Sequence, residues 1–558
     1  MSQTTAAEAL LGQMRAAGIE VLFANGGTDF PSVIEAYANA PESGIAMPEP
    51  VIVPHEGVAV GMAHGYYLVR GEPAGVMVHV NVGLANAVMG LVNAASEQIP
   101  VLMCSGRTPV TEQGRFGSRS SPIHWGQEMR DQAGMVREVV KWDYELRYPE
   151  QAGAAVARAL SLALSAPRGP VYLSLPREVL AEPAPMPEPA TATRPAPAPA
   201  PAAAEIAEAA GLIARAERPV IVSQSPELRA GFAPLAELAE RFAIPVVEFW
   251  AMRQGLATTH PMHAGRDPVP WLREADLVIT LNAMVPWVAE QVTLPRGCRV
   301  VALGPDPSFE RVPMRSFRVD VALAGEIGAT LQALAQAADA PDPAALTARR
   351  DRVAAHRAEQ SGAAARRVAE GSAKPMNPAF VSKCLSDAAD ANTTFFNELG
   401  LDPAVMTFEA PNTYFSTPLS GGLGWGLPAA LGAQLADRSR QVIACVGDGS
   451  YMFANPVACH QTAAALGLPV LTVVFNNGIW NAVRRSTLQM YPDGKAAAAN
   501  VMPITALDPS PDHAAIARAH GAHAERIEDG ADLPAAIDRA LAATRGGTQA
   551  LLEVVVSY

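Results

Sequence analysis

The residues Gly-Asp-Gly-Ser at positions 447–450 follow a short apolar run, Gln441–Val446, which predicts a buried β-strand. Residues 455–466 then have the spacing of a helix. Pro469–Phe475 predicts a second buried strand, which ends at Asn-Asn-Gly in positions 476–478. Both polar clusters therefore follow the carboxyl ends of two predicted parallel strands. Open α/β sheets bind their ligands at this edge.

The residue types at this edge favour a metal ion and phosphate groups. Asp448 offers an anionic oxygen and Asn477 a neutral one. Gly449, Ser450 and Gly478 allow the main chain to approach a phosphate closely. A hard cation that keeps part of its coordination shell for diphosphate oxygens fits this set. An isolated Gly-Asp-Gly is often an ordinary turn, but the strands, the helix and the Asn-Asn that accompany it favour a binding site.

Composition limits the class of protein. The chain has 558 residues, 49% of them hydrophobic and 17% charged, so we expect a globular protein of about three domains. The net charge of −13 argues against nucleic acid or an anionic membrane as partner. Five scattered cysteines without a Cys-x-x-Cys pair favour a reducing compartment. With no signal pattern and no apolar run of about 20 residues, we expect a cytoplasmic protein.

Strands and helices alternate in three parts of the chain, which predicts an α/β fold with three doubly wound parallel-sheet domains. The predicted domains are residues 1–182, 204–338 and 378–558. A Pro/Ala-rich linker at 183–203 joins the first two, and an Ala/Arg-rich helical connector at 339–377 joins the last two. The first and third domains share one coarse order of strands and helices, which predicts two related sheets flanking a different one.

Polar residues also follow the strands of the first domain. Glu56 comes after a predicted strand and is either a functional acid or a carboxylate favoured by the start of a helix. His79 falls within the predicted strand Val76–Val80 and is either a core histidine or a site residue. Thr28 or Asp29 is predicted to cap the next helix.

Two loops complete the set of candidates. His124–Glu128 follows a loop rich in glycine and serine, and forms either a wall of the site or a simple turn. Residues 420–424 place Leu423 among glycines. The glycines bring the main chain close to a ligand, and the leucine can press against it. A helix-capping loop is the alternative interpretation.

Taken together, these motifs resemble those of the thiamine-diphosphate-dependent enzymes of the pyruvate decarboxylase and acetolactate synthase superfamily. The resemblance covers nearly the whole chain, and locally it is closest to the benzoylformate decarboxylases. The similar stretches are Asn25–Thr28, Glu56, His79 with Gly83 and Asn86, Val140–Glu145, Gly421–Gly424, Gln441–Gly449, and Asn476–Gly478 with Arg484. The resemblance implies that the three domains are pyrimidine-binding, central and diphosphate-binding, and that the cofactors are thiamine diphosphate and Mg²⁺.

The resemblance also implies a role for each ligand residue. Asp448, Asn477 and the carbonyl of Ile479 would hold Mg²⁺, which grips two diphosphate oxygens. Glu56 would hydrogen-bond the pyrimidine ring, and Leu423 would hold the cofactor bent. The remaining implied cofactor contacts are Asn86, Gly400, Gly421, Gly449, Ser450, Asn477 and Gly478.

The implied reaction is that of a 2-oxo acid decarboxylase or carboligase that works through a thiazolium ylid and a carbanion–enamine. Its implied catalytic residues are Glu56, His79 and Thr28. The implied substrate pocket contains Gly27, Gln127, Trp287, Trp480 and Leu488. An acetolactate-synthase-like transferase that condenses two 2-oxo acids is the alternative, and a non-catalytic cofactor-binding protein is a third and less favoured one.

The resemblance implies a homo-oligomer, because the glutamate and the metal site of one active site come from different subunits. A dimer is the minimum, and tetramers are common in the family. Two departures leave the choice between aliphatic and aryl 2-oxo acids open. Asn282–Val288 contains no counterpart of a second active-site histidine, and Gly400 stands where benzoylformate decarboxylases have a substrate-side threonine.

Overall fold

The computed structural model describes residues 4–186 and 194–558, so residues 187–193 of the predicted linker lie outside the described residues. Two compact units are present. The first contains the described residues up to Pro197 together with Pro418–Arg438 and Val457–Leu466. The second contains Ala198–Thr417, Ser439–Pro456 and Gly467–Tyr558.

The first unit contains a six-stranded parallel sheet and a two-stranded antiparallel one. Its strands are β1 (Thr4–Thr5), β2 (Val21–Ala24), β3 (Glu49–Ile52), β4 (Gly75–Val78), β5 (Leu102–Arg107), β6 (Asp143–Glu145), β7 (Val171–Pro176) and β8 (Pro183–Ala184). Its helices are α1 (Ala6–Ala16), α2 (Pro31–Ser43), α3 (Glu56–Arg70), α4 (Val80–Ser96), α5 (Ile123–Gly126), α6 (Ala152–Leu164) and α7 (Arg177–Ala181), together with α14 (Gly426–Ala436) and most of α16 (Pro456–Leu466).

The second unit contains a five-stranded and a six-stranded parallel sheet. Its strands are β9 (Pro219–Ser223), β10 (Val246–Val247), β11 (Leu277–Leu281), β12 (Arg299–Gly304), β13 (Val321–Ala324), β14 (Thr393–Glu398), β15 (Tyr414–Ser416), β16 (Gln441–Gly447), β17 (Leu471–Asn476), β18 (His523–Ile527) and β19 (Ala550–Val555). Its helices are α8 (Ala203–Arg215), α9 (Phe232–Phe242), α10 (Val269–Leu272), α11 (Ile327–Ala337), α12 (Pro343–Ala369), α13 (Pro378–Ala388), α15 (Asp448–Phe453), α17 (Asn481–Met490), α18 (Lys495–Ala499), α19 (His513–Arg518) and α20 (Leu533–Arg545).

The two six-stranded sheets have the same topology. The first runs β3-β2-β4-β5-β7-β6 and the other β15-β14-β16-β17-β19-β18, which is the same order when each set is counted along the chain. The five-stranded sheet runs β10-β9-β11-β12-β13. The prediction of an α/β fold with three parallel sheets, two of them related, is therefore confirmed.

Strand order also locates the ligand-binding edge of each related sheet. All strands in these two sheets are parallel, but the direction in which successive strands are added reverses. This switch lies between β2 and β4 in the first sheet, and between β14 and β16 in the other. Loops diverge at such a switch point and leave a crevice at the carboxyl ends of the two strands. The residues that follow these strands include His79 and Asp448.

Two local predictions are wrong. Strand β4 ends at Val78, so His79 is not inside a strand but precedes the first residue of α4. Neither Thr28 nor Asp29 caps α2, whose N-cap residue is Phe30 without a side-chain hydrogen bond. The helix predicted for residues 455–466 is confirmed as α16, and a separate short helix, α15, which begins at Asp448, precedes it.

The segments between the sheets have their own structure. Pro183–Ala184, at the start of the predicted linker, pairs with Thr4–Thr5, and α8 begins at Ala203. The predicted connector contains α12, a helix of 27 residues that presents mostly exposed side chains. In the part of the chain that the structure describes, no helix is long and apolar enough to cross a membrane.

Small residues allow α3 and α14 to pack closely in the first unit. A Cβ on Gly65 would lie 1.8 Å from the carbonyl oxygen of Ala429, and one on Gly61 would lie 2.6 Å from Cβ of Pro428. Any larger side chain would therefore separate the two helices. The contact fixes α3, whose first residue is Glu56.

Candidate active site

Glu56 is the first residue of α3 and is held by an amide from α4. His55 caps the helix by accepting a hydrogen bond from the N–H of Gly57 at 3.2 Å. The Nδ2 group of Asn86 donates to Oε2 of Glu56 at 3.1 Å. A Cβ on Gly83 would lie 3.2 Å from Oε1 of Glu56, so the glycine keeps the space beside this oxygen open. The carboxylate is thus buried, oriented and hydrogen-bonded on one oxygen.

His79 belongs to a second cluster in the first unit. Its Nδ1 lies 2.5 Å from Oδ1 of Asp29, and its Nε2 lies 3.0 Å from Nε2 of Gln127. Gly27 faces the ring so closely that a Cβ there would lie 2.1 Å from Nδ1 of His79. The structure therefore brings together three predicted site residues, Gly27, His79 and Gln127, and adds Asp29.

The glycine-rich loop before α14 is fixed by Asn93 on α4. The Nδ2 group of Asn93 donates to the carbonyl of Gly422 at 2.9 Å. Its Oδ1 accepts from the hydroxyl of Ser420 at 2.7 Å and from the N–H of Gly422 at 3.2 Å. Gly421 has φ +68°, a conformation that favours glycine. Leu423 is half-buried in this loop.

Asp448 connects two turns in the second unit. Its Oδ1 accepts from the N–H of Gly449 at 2.9 Å, and its Oδ2 accepts from the N–H of Gly478 at 2.8 Å. Gly478 has φ +70°. Oδ1 of Asn477 accepts from the N–H of Ile479 at 3.1 Å. The two predicted oxygen ligands, Asn477 and Ile479, therefore share one folded turn.

Burial raises the pKa of the Asp448 carboxyl group, while the N–H groups of Gly449 and Gly478 oppose that shift. The side chain is only 4% exposed. A buried carboxylate with this environment gains most from a bound cation, which replaces the lost hydration. The donor set of one carboxylate, one amide oxygen and one carbonyl suits a hard cation such as Mg²⁺.

Metal clusters of another kind are absent from the described residues. Across residues 4–186 and 194–558, no group of three or more His, Cys, Asp or Glu residues could hold a metal ion. The set of Asp448, Asn477 and Ile479 has one carboxylate and two neutral oxygens, so a search for three such side chains does not include it. Softer metals, which need histidine or cysteine ligands, do not fit this set.

An aromatic ring covers the start of α15. A Cβ on Gly449 would lie 2.2 Å from Cζ3 of Trp480, so only glycine fits beneath the indole. Phe453 packs edge-on against the same ring at 5.7 Å between centroids. Ser450 is buried in the first turn of this helix. Gly400 follows β14, and a Cβ there would lie 2.7 Å from the ring of Phe475.

Three other predicted site residues have the following surroundings. Trp287 is buried in the core of the five-stranded sheet domain, where its ring packs edge-on against Phe317. Leu488 is half-buried on α17. Thr28 is exposed, and its carbonyl accepts a hydrogen bond from Arg177 at 3.2 Å.

Two residues that organise these clusters are not identified by sequence reasoning. Asp29 is predicted only as a helix cap. Its position in the turn after strand β2, at the ligand-binding edge of the sheet, is the signal that could have identified it. Asn93 is the buried one of the three asparagines on α4, the others being Asn81 and Asn86. Buried polar groups need partners, but the sequence alone does not show which of the three is buried.

Comparison with known proteins agrees with these features. Residues 4–135 match the N-terminal TPP binding domain of the thiamine pyrophosphate enzymes, residues 206–334 match the central domain, and residues 403–554 match the C-terminal TPP binding domain. The chain belongs to the thiamine pyrophosphate enzyme family. The resemblance inferred from the sequence is therefore confirmed, and the protein is a thiamine-diphosphate-dependent enzyme that acts on C–C bonds.

The chain is similar to several members of this family. Benzoylformate decarboxylase of Pseudomonas aeruginosa is 30% identical over 509 residues, which cover 88% of this chain and 89% of the relative. The acetolactate synthase large subunit of Parasynechococcus marenigrum is 26% identical, with 94% and 83% covered. A solved structure of 4-hydroxybenzoylformate decarboxylase from Rhodococcus jostii RHA1 has a TM-score of 0.79 at 24% identity, covers 100% and 99% of the two chains, and supports the fold.

Proposed function

We propose that the protein is a Mg²⁺- and thiamine-diphosphate-dependent 2-oxo acid decarboxylase or carboligase. The observation that carries this proposal is the pair formed by Glu56 and Asn86, in which one carboxylate oxygen is hydrogen-bonded at 3.1 Å and the other faces Gly83. A protein that only bound the cofactor would need the diphosphate site, but would not need an oriented acid for the pyrimidine ring.

Different residues of the chain would bind the metal ion, the diphosphate and the pyrimidine ring. Asp448, Asn477 and the carbonyl of Ile479 would hold Mg²⁺, and the main chain at Gly449 and Ser450 would leave room for the diphosphate. Leu423, on the loop fixed by Asn93, would support the bent cofactor together with Gly421. Glu56 would exchange a proton with the pyrimidine nitrogen, with Asn86 keeping the carboxylate in place. When bound, thiamine diphosphate supplies a nucleophilic carbon for the substrate carbonyl and an electron sink for loss of CO₂.

The residues around His79 would face the substrate. An imidazole can accept or return a proton, or bind a carboxylate, at the pH of the cell. Gln127 holds Nε2 of His79 at 3.0 Å, and Gly27 leaves room for the ring. The further residues that we propose for substrate contact are Thr28, Trp480, Leu488 and Trp287. The similarity to benzoylformate decarboxylase favours a 2-oxo acid as substrate.

We also propose that the enzyme is a homodimer at least, with a tetramer as the larger candidate. Val82 and Met89 share a face of α4 with Asn86, since they lie four and three residues away from it. These two apolar side chains are 48% and 37% exposed. A partner subunit would cover this face beside Glu56. All five cysteines are unpaired, which agrees with a cytoplasmic enzyme.

An acetolactate-synthase-like transferase is the second candidate, because the cyanobacterial acetolactate synthase subunit is 26% identical to this chain. The two candidates differ in the step after loss of CO₂. A decarboxylase releases an aldehyde, whereas a transferase or carboligase passes the acyl group to a second carbonyl compound.

A product-resolved assay tests the proposal and separates the candidates. Purified protein with thiamine diphosphate and Mg²⁺ is given aliphatic and aryl 2-oxo acids, each with and without an aldehyde or a second 2-oxo acid. We expect CO₂ and aldehyde from at least one single substrate, and an acyloin when an acceptor is added. CO₂ release only with a second 2-oxo acid would favour the transferase. No release from any 2-oxo acid would contradict the proposed function.

A mixing experiment tests the shared site. Glu56→Gln and Asp448→Ala subunits are inactive alone under this proposal, but a mixed dimer contains one intact site. We expect activity to return when the two variants are unfolded and refolded together. Confirmed mixed dimers without activity would show that each subunit uses its own glutamate and metal site.

A further inference from the structure

The turn after β2 and the start of α4 form a cluster around His79 with unusual main-chain geometry. Val80 has φ +29°, a strained region that β-branched residues seldom adopt. The N–H of Val80 donates to Oδ2 of Asp29 at 3.2 Å. The other oxygen of this carboxylate lies 2.5 Å from Nδ1 of His79. Asp29 therefore holds both the ring and the strained residue that follows it.

Two glycines, Gly27 and Gly106, leave just enough space for the side chains of His79 and Asp29. A Cβ on Gly27 would overlap the imidazole, and one on Gly106 would lie 1.5 Å from Oδ2 of Asp29. The side chain of Asp29 is 2% exposed, whereas that of His79 is 17% exposed. The carboxylate is thus enclosed on the inner side of the ring, and the ring keeps an accessible outer side.

The carboxylate decides which nitrogen of His79 carries the proton. A carboxylate only accepts hydrogen bonds, so Nδ1 must be the donor in this pair. Nε2 is then the atom that gains or loses a proton. In the arrangement observed, the amide nitrogen of Gln127 donates to Nε2 at 3.0 Å, which fits the neutral ring.

The side-chain oxygen of Gln127 could also serve as a partner for the protonated imidazole of His79. Its Oε1 is buried and has no hydrogen-bond partner, and the residue is 7% exposed. An unpaired buried acceptor is unfavourable, because it has lost its hydrogen bond to water. If the amide turns over, Oε1 accepts from a protonated Nε2. The same side chain can therefore pair with His79 before and after the ring gains a proton.

We propose that Asp29 is the positioning residue of His79, and that Gln127 is a reversible partner whose amide turns over when Nε2 is protonated. Asp29 keeps Nδ1 protonated and directs Nε2 toward the reaction side. A proton taken up from solvent hydronium forms one N–H bond at Nε2, leaves water behind, and changes the charge of the Asp29–His79 pair from −1 to 0. The assignment of Nε2 to proton transfer rests on the proposed function, but the pairing of Asp29, His79 and Gln127 does not.

Other charged groups lie on the elements around this cluster and contribute to its electrostatic surroundings. These groups are Glu56 on α3, Arg107 at the end of β5, His124 on α5 and Arg177 at the start of α7. Burial lowers the pKa of His124, and the cations of Arg177 and Arg119 lower it further. His124 is therefore the second histidine to be distinguished from His79 in a spectrum.

Nitrogen NMR of the full-length protein, labelled with ¹⁵N-histidine, reads the tautomer directly. Signals are assigned with His79→Asn and His124→Asn, and spectra are recorded at neutral pH without and with thiamine diphosphate and Mg²⁺. We expect His79 to carry its proton on Nδ1, with a far-downfield, slowly exchanging resonance. An Nε2–H tautomer, or a rapidly exchanging average of both tautomers, would overturn the role of Asp29.

Three variants separate positioning from folding. In Asp29→Asn, which keeps the side-chain size, we expect the downfield Nδ1–H signal to weaken or disappear. In Gln127→Glu, which can only accept, we expect both nitrogens of His79 to be protonated at neutral pH. Asp131→Asn is the control, because Asp131 is exposed and pairs only with surface groups. A Gln127→Glu spectrum identical to that of the unaltered protein would overturn the role of Gln127.

Kinetics connect the cluster to the reaction. We expect Asp29→Asn to lower kcat about 10–100-fold, the range of a positioning effect, while the cofactor affinity and Tm stay near those of the Asp131→Asn control. A lost NMR signature with unchanged kcat would show that His79 is not used for proton transfer. If the unaltered protein turns over no 2-oxo acid, the proposed function fails, and the spectra still decide the pairing.

Discussion

The N–H of Gly478 donates to Oδ2 of Asp448 at 2.8 Å, and this bond joins the turn after β17 to the turn after β16. The two strands are neighbours in one parallel sheet. A single buried carboxylate therefore both shapes the Asn477–Ile479 turn and offers the anionic oxygen of the proposed metal site. Loss of Asp448 is expected to disturb the site through both effects.

The Asp448→Ala variant is expected to bind thiamine diphosphate much more weakly in the presence of Mg²⁺. Residues that only support a metal ligand typically change metal affinity about 10–100-fold, so a direct ligand should lose at least that much. Isothermal titration of the cofactor with and without Mg²⁺ measures the effect. Asp538→Ala, which removes an exposed acid on α20 in the same unit, is the control. Equal affinities in both variants would show that Asp448 does not bind the metal.

The stabilisation by Mg²⁺ should depend on pH in a defined direction. Burial raises the pKa of Asp448 above its ordinary value of 3.8. The metal-free protein therefore loses stability as pH rises from that value through the raised pKa, because the unfolded chain ionises more readily. Mg²⁺ binds the ionised form, so its effect on Tm should grow with pH over the same window. Thermal unfolding with and without Mg²⁺ between about pH 4 and pH 7 measures this. In Asp448→Asn the effect of Mg²⁺ should be small and independent of pH.

The Glu56→Gln variant is expected to lose turnover but keep the cofactor. Glutamine preserves the shape and can still meet Asn86, but it cannot exchange a proton with the pyrimidine ring. Loss of an acid–base group typically lowers the rate about 10²–10⁴-fold. Cofactor titration and steady-state kinetics on the same preparation separate the two effects. Normal turnover in this variant would refute the proposed role of Glu56.

The sheets and the ligand types are predictable from the sequence, because strands such as Gln441–Val446 are continuous apolar runs with polar turns at their ends. The pairs of residues that the fold brings together are harder to predict from the sequence. Asp29 and His79 are 50 residues apart and meet only because β2 and β4 are neighbours at the point where strand order reverses. His79 itself is wrongly predicted inside a strand, since its apolar neighbours continue the pattern beyond Val78.

The contact between Asn93 and the glycine-rich loop shows the same limit, since 329 positions separate Asn93 from Gly422. Asn93→Ala removes one donor and one acceptor and leaves the loop's polar groups unpaired. We expect a loss of about 1–3 kcal/mol in the free energy of unfolding and weaker cofactor binding. Chemical denaturation and cofactor titration measure the two effects. Asn93→Asp keeps the acceptor but loses the donor to Gly422 and buries a charge, so it should lose at least as much stability as Asn93→Ala. A smaller loss would assign the stabilisation to the acceptor.

The packing of α3 on α14 predicts the sign of a substitution that helix propensity alone would reverse. Alanine favours a helix over glycine by up to about 1 kcal/mol, so Gly65→Ala would stabilise an isolated α3. In the folded unit the new Cβ would lie 1.8 Å from the carbonyl oxygen of Ala429, and overpacking costs about 1–3 kcal/mol or more. We therefore expect a lower Tm for Gly65→Ala, measured beside Gly126→Ala, whose Cβ meets no atom within 4 Å. Because α3 begins at Glu56, the same variant should weaken cofactor binding as the helix moves. A raised Tm would mean that the two helices separate without cost and that propensity decides the outcome.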